Sequence, residues 1–580
     1  MNATANQVAQ GARTRLSLSP LILLAASFAA LLVLLALPLS VPIGPMYWDL
    51  FIYFDAANRI FDGQAPIIDF FTPVGPLGYY LFAGAVWLFP NAQPALLVHW
   101  SLLAITAPLM GLILHQVDQK SRVIAFALLV PFLVFAILPF NTRDFYPHPG
   151  SDGFGIYNRQ ASQLLYILTC ALLFVRNQRV LALVMALSLL GLFFLKITGA
   201  IAGVLLCAFA FVAGRIGLRH AVASALGFFF VLAALEVTTG LVSQYVADIL
   251  ILVAMNGGSL APRFLQSASL NFGVVMPGFL LALTVLYAGR KRIAAAIGEV
   301  RRDKSATTVA KLLDNNALWL GVVLFAGIFF ETQNTGSQAM ILVWPAVLAV
   351  LLKSGGMIAT PKLLIATIAL AAACVLPPFV NTIERAARAY IGAVKNVPLE
   401  HKHLKTLGAV NMRPEVMERV KHMLPFYAAH RDLFDKFVDA GELPAPLLYS
   451  DFDFQIGLLI GFDRTVESLL ELERQSGIRF ETVMALNFVN PFPWLMDRSA
   501  PKHIAIGADP SRAVPKPGSD ELKEVENVDI ALLPTCPLTT ANMALLQIYS
   551  EGLKSHVRIK LNDCYDAFVN PRHAGRLPKQ

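Results

Sequence analysis

Charge is scarce in this chain. Asp, Glu, Lys and Arg make up 14% of its 580 residues, apolar residues make up 56%, and mean hydropathy is +0.61. A soluble protein of this length does not carry so many apolar runs long enough to cross a membrane. Cysteine is sparse too. There are five, none in a CxxC pair and none in a Cys/His cluster, which removes a zinc module. Cys170, Cys207 and Cys374 fall in apolar runs and are expected simply to pack there; Cys536 and Cys564 fall in the polar C-terminal part. That part also lacks a Gly-rich phosphate loop, a nucleophile elbow and an internal repeat. The formal net charge of +8 is what basic cytoplasmic loops leave on a membrane protein, so nucleic acid is not an expected partner.

What is present is a succession of about twelve apolar segments. The first, from Leu18 to Val41, is too long for a signal-peptide core and reads as an uncleaved span with a cytoplasmic N-terminus. The others lie near 73–90, 94–114, 122–140, 160–175, 180–195, 197–214, 220–242, 271–289, 316–331, 338–352 and 361–380. Basic residues orient them. Arg290 to Lys311 is the clearest inside loop, and Arg176/Arg179, Arg215/Arg219 and Lys353/Lys362 agree. The stretches 141–159, 243–270 and 332–337, and everything after about 381, are then outside. Lys120 and Arg122 fit only if 73–90 is a partial or tilted segment rather than a full crossing.

After residue 381 the composition becomes that of an ordinary soluble domain. Helices are expected at Glu415–His430, Val466–Gln475 and Thr540–Leu553. A strand-like run lies within Leu447–Ile460, and strands are expected at Thr482–Phe488, Ile504–Ile506 and Val528–Leu533. Val557–Leu561 and Ala567–Val569 read as extended. This alternation predicts a small α/β domain. If the strands before Cys536 and Cys564 are parallel neighbours, both cysteines leave the sheet at one end; a disulfide and two buried free thiols both remain open.

The expected fold is therefore mostly α: a polytopic transmembrane bundle over residues 1–380, an acidic first outer loop at 42–75, and an extracytoplasmic α/β domain over 381–580. The chemistry is sought in the first loop. Met46 to Leu81 holds Asp49, Asp55, Asp62 and Asp69 among many aromatics. Its first half has helical spacing and predicts an amphipathic helix lying on the membrane surface with its carboxylates toward water or a cavity mouth. Gly63, Pro66, Pro73, Gly75 and Pro76 then break regular structure. Acids near hydrocarbon cost free energy unless something pairs or uses them.

The residues Trp48-Asp49, Tyr53, Asp55, then Gly63, Pro66 and Asp69, then Pro73, Pro76, Tyr79 and Tyr80 resemble the first-loop motif of the GT-C superfamily of integral-membrane glycosyltransferases. Many members carry Asp-Glu where this chain has Asp49-Leu50. The resemblance implies a polyprenyl-phosphate sugar donor and a glycan, lipid or protein acceptor. Such transfer needs a base for the acceptor proton. Asp49 is the first candidate by its place in the motif and Asp69 the second; the alternative for Asp49 is a helix N-cap. Tyr53 and Asp55 belong to the same motif. In the second outer loop, Tyr157-Asn158-Arg159 matches an aromatic-Asn-Arg of the family, which makes Arg159 the candidate for the departing phosphate. Arg143 and His148 lie in that loop, His148 either as a loop residue or in contact with phosphate or sugar.

Lys196, between two apolar runs, either reaches the phosphate or extends to the interface. Gln333 and Asn334 occupy an outer turn suited to sugar hydroxyls or to a plain polar turn. No metal site is assigned, though Asp49 and Asp69 leave a divalent cation open. The expected location is the bacterial inner membrane, with the C-terminal domain periplasmic. A flippase for lipid-linked glycans and a non-catalytic assembly protein are the competing readings; the first lacks paired broken segments in matching halves.

Overall fold

The computed structural model describes residues 19–142, 149–256, 260–333, 338, 340–354, 360–442 and 452–578. It is a bundle of apolar helices capped at one end by an α/β domain. Gln178–Leu195, Leu218–Thr239 and Pro361–Gly392 are long and apolar enough to cross a membrane singly. Pro94–Ser101 with Leu103–Asp118 forms one broken apolar element, bent by 42°. Ile156–Phe174 is the central helix, buried along nearly its whole length. Three of its polar side chains donate to backbone carbonyls inside the bundle: Gln160 to Val98 O (3.1 Å), Gln163 to Phe135 O (3.3 Å) and Tyr166 to Leu128 O (2.7 Å). Each such bond removes the penalty of a bare polar group among apolar neighbours. Leu218–Thr239 is the opposite case, with Ser224 as its one buried residue, and lies at the periphery.

Leu77–Leu88 does not cross the bundle. It has 12 residues, about 18 Å at 1.5 Å per residue, against a hydrocarbon core of about 30 Å. Both its flanks stay at the capped end. Gly75 N–H donates to Leu195 O, and Gln93 donates to Ala409 O of the C-terminal part. Lys120 and Arg122 therefore fall at the far end with the other basic loops, as the partial-segment reading expects.

The first-loop helix, Asp49–Phe61, departs from expectation. It does not lie on a surface: every residue from Asp49 to Arg59 is buried. Its apolar residues occupy more than one face. Tyr53 and Phe54 pack inward on Tyr79 and Phe82, while Phe51 and Phe54 meet Phe462 and Trp494 of the C-terminal domain. The domain roofs this helix, so Asp55 faces protein rather than water; Asp62, at the exposed end, remains solvated.

A short sheet ties roof to bundle. β1 (Val41–Pro42) runs parallel to β3 (Val410–Met412), which pairs antiparallel with β2 (Val397–Pro398). The domain's main sheet has the order β4-β5-β7-β6, with β4 (Val483–Ala485), β5 (Ile530–Pro534), β6 (Val557–Asn562) and β7 (Tyr565–Val569). β4 and β5 are parallel; β7 is antiparallel to both β5 and β6. The expected helices near 415–430 and 540–553 form as Pro414–Ala429 and Thr540–Leu553.

Two strand expectations fail. From Phe452 onward the run within Leu447–Ile460 is helix, continuous with the next predicted helix as Phe452–Ser476; Leu447–Asp451 lies outside the described residues. Ile456, Leu459, Phe462, Val466, Leu469 and Leu472 are buried at three- and four-residue spacing, and only that longer window reveals the helical period. Ile504–Ile506 is irregular because its backbone bonds go to the first loop instead of a sheet: Ile506 N–H donates to Phe71 O at 3.1 Å.

Cys536 and Cys564 are bridged, with Cα atoms 4.8 Å apart, while Cys170, Cys207 and Cys374 are free and buried. The strands preceding the bridged pair, β5 and β6, are not neighbours; β7 lies between them. They nevertheless run in the same direction, so both cysteines emerge at one end.

Candidate active site

Two loops at the capped end of the bundle are laced together to make the site. Ile43 bridges Ser151, Ser151 N–H donates to Pro42 O (2.9 Å), and Gly153 N–H donates to Pro45 O (3.2 Å). The approach requires glycine: a Cβ on Gly150 would stand 1.9 Å from Ile43 O. The first loop then turns into Asp49–Phe61 opposite the start of Ile156–Phe174. Gly155 makes the entry to that helix at φ 63°, a conformation glycine adopts without strain. Its N–H donates to Asp49 Oδ2 at 3.3 Å. Asp49 is thus the first residue of its own helix but bonds across to the other loop; no side-chain cap forms, and Trp48 holds the N-cap position.

Burial pushes the Asp49 carboxyl up to about 7, against the opposing pull of the Gly155 N–H and the Arg159 charge. A carboxylate in that range is suited to accept a proton near neutral pH. Arg159, on the first turn of the facing helix, is fully buried. Its Nη2 donates to Asp152 O at 2.7 Å, while Nε and Nη1 have no hydrogen-bond partner among the described residues. A buried guanidinium with two idle nitrogens is costly by itself and is matched to an anion.

One residue earlier, Asn158 Oδ1 accepts from Lys196 Nζ at 2.5 Å. The ammonium also donates to Gln333 O (3.2 Å) and lies 4.9 Å from the Tyr157 ring centroid. The first-loop turn abuts the same place. A Cβ on Gly75 would stand 2.1 Å from Phe194 O, so the turn before Pro76 lies against the end of the helix that carries Lys196.

Asp49, Tyr157, Asn158, Arg159, Lys196 and the Gln333 backbone therefore gather at the capped end of the bundle, with Tyr53 one turn along from Asp49. The Gln333 side chain turns elsewhere and accepts from Arg263 at 2.6 Å. Asp55 and Asp69 stand apart from this group. Asp55 is in a buried ion pair with Arg59 (2.8 Å), whose Nη1 also donates to Pro501 O (2.6 Å). Asp69, half-buried, accepts from Ala65 N–H (2.7 Å) and Lys502 Nζ (3.3 Å), at the seam with the C-terminal domain. Arg143, His148 and Asn334 lie outside the described residues. Among the described residues, no three His, Cys, Asp or Glu side chains gather as ion ligands.

Sequence reading passed over three residues here. Asp152 carries Arg159 on its carbonyl and takes the N–H of Asn141 on its carboxylate (2.5 Å). Arg385, from Pro361–Gly392, donates to Asn141 O (3.1 Å) and lies 3.7 Å from the Asp152 carboxylate. A charge within the last apolar helix was the available signal for Arg385. Arg512 arrives from the roof, its carbonyl bonded to Asn256 (3.2 Å), and its charge reaches Tyr157. Nothing in its surrounding sequence marks it.

Neither a protein-family model nor a curated protein matches the chain. Among solved structures, the chain is similar to ArnT from Cupriavidus metallidurans bound to undecaprenyl phosphate. The match covers 96% of this chain and 99% of that one, at 13% identity and a TM-score of 0.41. It is also similar to the archaeal oligosaccharyltransferase AglB from Archaeoglobus fulgidus in complex with an inhibitory peptide and a dolichol-phosphate. That match covers 92% of this chain and 72% of that one, at 14% identity and a TM-score of 0.30. At such scores the likeness carries no functional weight, and the site is read from its own residues.

Proposed function

We propose that this protein is a membrane glycosyltransferase that moves a sugar from a polyprenyl-phosphate donor to a glycan, lipid or protein acceptor. The observation that carries the reading is the pairing of Asp49, a buried carboxyl whose pKa is pushed to about 7, with Arg159, a buried guanidinium whose Nε and Nη1 are unpartnered among the described residues, across the Gly155 turn. The first-loop motif supports it. In this reading Asp49 takes the proton from the acceptor nucleophile as that atom bonds to the anomeric carbon. The bond from the anomeric carbon to the phosphate oxygen breaks, and the polyprenyl phosphate leaves with the electron pair. Arg159 and Lys196 offset the charge that develops on it. Arg385 and Asp152 are positioning residues that hold Arg159 in place. Asp69 is the reserve candidate for the base.

In this reading the protein sits in a bacterial inner membrane with the roof domain in the periplasm. The Cys536–Cys564 bridge supports an oxidising compartment for that domain. Residues 1–380 form the membrane module and 381–580 the domain that helps hold the acceptor.

The test compares envelope glycans from a deletion strain, the same strain complemented with the wild-type gene, and the strain complemented with Asp49→Asn. The expected result is a sugar lost on deletion, restored by the wild type and not by the variant. Unchanged glycans in the deletion strain would sink the transferase reading. Restoration by Asp49→Asn would remove Asp49 as the base and direct the same test to Asp69→Asn.

A further inference from the structure

At the opposite end of the bundle two helices leave the span direction. Arg290–Arg302 is bent by 71° from Phe272–Ala288, and Ala306–Leu313 by 72° from Asn316–Glu331. The two lie against each other as a hairpin between two membrane helices, and neither contains a buried residue. This end is remote from the site. Asn316–Glu331 runs 16 residues from Lys353 at one end, which donates to Asn316, toward Gln333 and Lys196 at the other, about 24 Å at the helical rise.

Along Arg290–Arg302 the half-covered or exposed apolar residues Ile293, Ala296, Ile297 and Val300 follow the i, i+3, i+4, i+7 pattern of one helix face. At 100° per residue, Arg290, Arg292 and Arg301 flank that stripe, while Lys291 and Arg302 fall on the opposite face. Arg290 lies 4.2 Å from the ring centroid of the exposed Tyr287, an aromatic at the end of its span as expected at an interface. Across 290–311 there are seven Lys and Arg and two acids, Glu299 and Asp303.

We propose that this hairpin lies in the headgroup layer at the bundle's far face and binds anionic phospholipid, with Arg290, Arg292 and Arg301 on the phosphates. The bends lay it near the membrane plane, its apolar stripe reaches the acyl boundary, and its charge is complementary to an anionic leaflet. The inference does not depend on the reaction at the other end.

Full-length protein purified in detergent is titrated with phosphatidylglycerol or phosphatidylcholine, and bound lipid is read by native mass spectrometry. Each cation near an anionic surface contributes about fivefold in affinity. Arg292→Gln/Arg301→Gln should therefore weaken phosphatidylglycerol binding on the order of 25-fold, and Lys291→Gln/Arg302→Gln, with the same charge loss, clearly less. Phosphatidylcholine binding should not change, and inorganic phosphate should not displace the bound lipid. Equal phosphatidylglycerol binding by wild type and Arg292→Gln/Arg301→Gln would overturn the proposal and leave an acidic protein partner as the reading of this charge. Equal loss in both variant pairs would overturn the assignment to the flanking arginines. Displacement by phosphate would reduce the site to one for a free anion.

Discussion

Among the described residues Arg159 is held by one hydrogen bond, from Nη2 to the carbonyl of Asp152 at 2.7 Å, which leaves Nε and Nη1 unpartnered and the guanidinium charge within electrostatic reach of Asp49. The bond fixes the plane of the guanidinium without neutralising it. Arg385 supports the arrangement from behind, through Asn141 and the Asp152 carboxylate. A group positioned in this way is pre-set for an oxyanion rather than reorganised by one.

The first prediction concerns that fork. Arg159→Gln should lower kcat for transfer from a polyprenyl-phosphate sugar by about 10²–10³-fold, the usual effect of removing one aligned oxyanion donor. Arg159→Lys should recover only part of the loss, because an ammonium is a point charge without the fork. Thermal melts of both variants show whether they are folded. Full activity in folded Arg159→Gln would exclude contact with the leaving phosphate.

A second prediction follows from the carboxyl opposite. Asp49 ionises at about 7 in the fold and near 3.9 in an unfolded chain. As a base it works deprotonated, so kcat/KM should rise with pH and level off above an apparent pKa near 7. The stability effect has the opposite direction. Below pH 4 the group is protonated in both states; as pH rises toward 7 the unfolded state alone loses the proton, and the fold is progressively destabilised. Asp49→Asn should therefore raise Tm at pH 8 relative to wild type and leave the difference much smaller at pH 4. A flat activity profile between pH 5 and 9 would contradict the assignment.

The bundle, the incomplete crossing at Leu77–Leu88 and the α/β roof were readable because hydrophobic length, basic-loop placement and strand–helix alternation are properties of single segments. Lys196 was readable as a candidate because a charge between two apolar runs needs a reason to be there; Asp49 and Tyr157-Asn158-Arg159 were readable through the resemblance of their motifs to the GT-C family. What stayed hidden was set by contacts between distant segments. Asp55 looks solvated on a surface helix until the roof is folded over it. Asp152 acts through its carbonyl, which no side-chain pattern encodes. Arg512 comes from a loop more than 350 residues beyond Tyr157 in the chain.

The roof domain carries its own covalent tie. The Cys536–Cys564 bridge closes a loop with a sequence separation of 28, for which chain entropy gives about 3–4 kcal/mol. Cys536→Ser/Cys564→Ser should lose about that much stability in the domain, seen as a lower midpoint in denaturant. Peptide mapping without reduction should recover the joined peptides from the wild type; alkylation of both thiols in unreduced protein would show the bridge to be absent.

The last prediction separates two neighbouring acids by what their loss does. Asp55 and Arg59 form a buried pair 2.8 Å apart further along the helix that Asp49 begins, and Arg59 continues to Pro501 O and lies 5.0 Å from the Phe70 ring centroid. This places Asp55 at the seam between the first loop and the roof. Asp55→Asn leaves a buried guanidinium without its counter-charge, which costs about 3–5 kcal/mol. Asp55→Leu/Arg59→Met removes both charges and should regain much of that stability, because neither ion then has to be desolvated. Asp49→Asn should behave in reverse, with transfer lost and the melt preserved or raised. Asp55→Asn that melts like wild type but no longer transfers sugar would instead place Asp55 on the substrate.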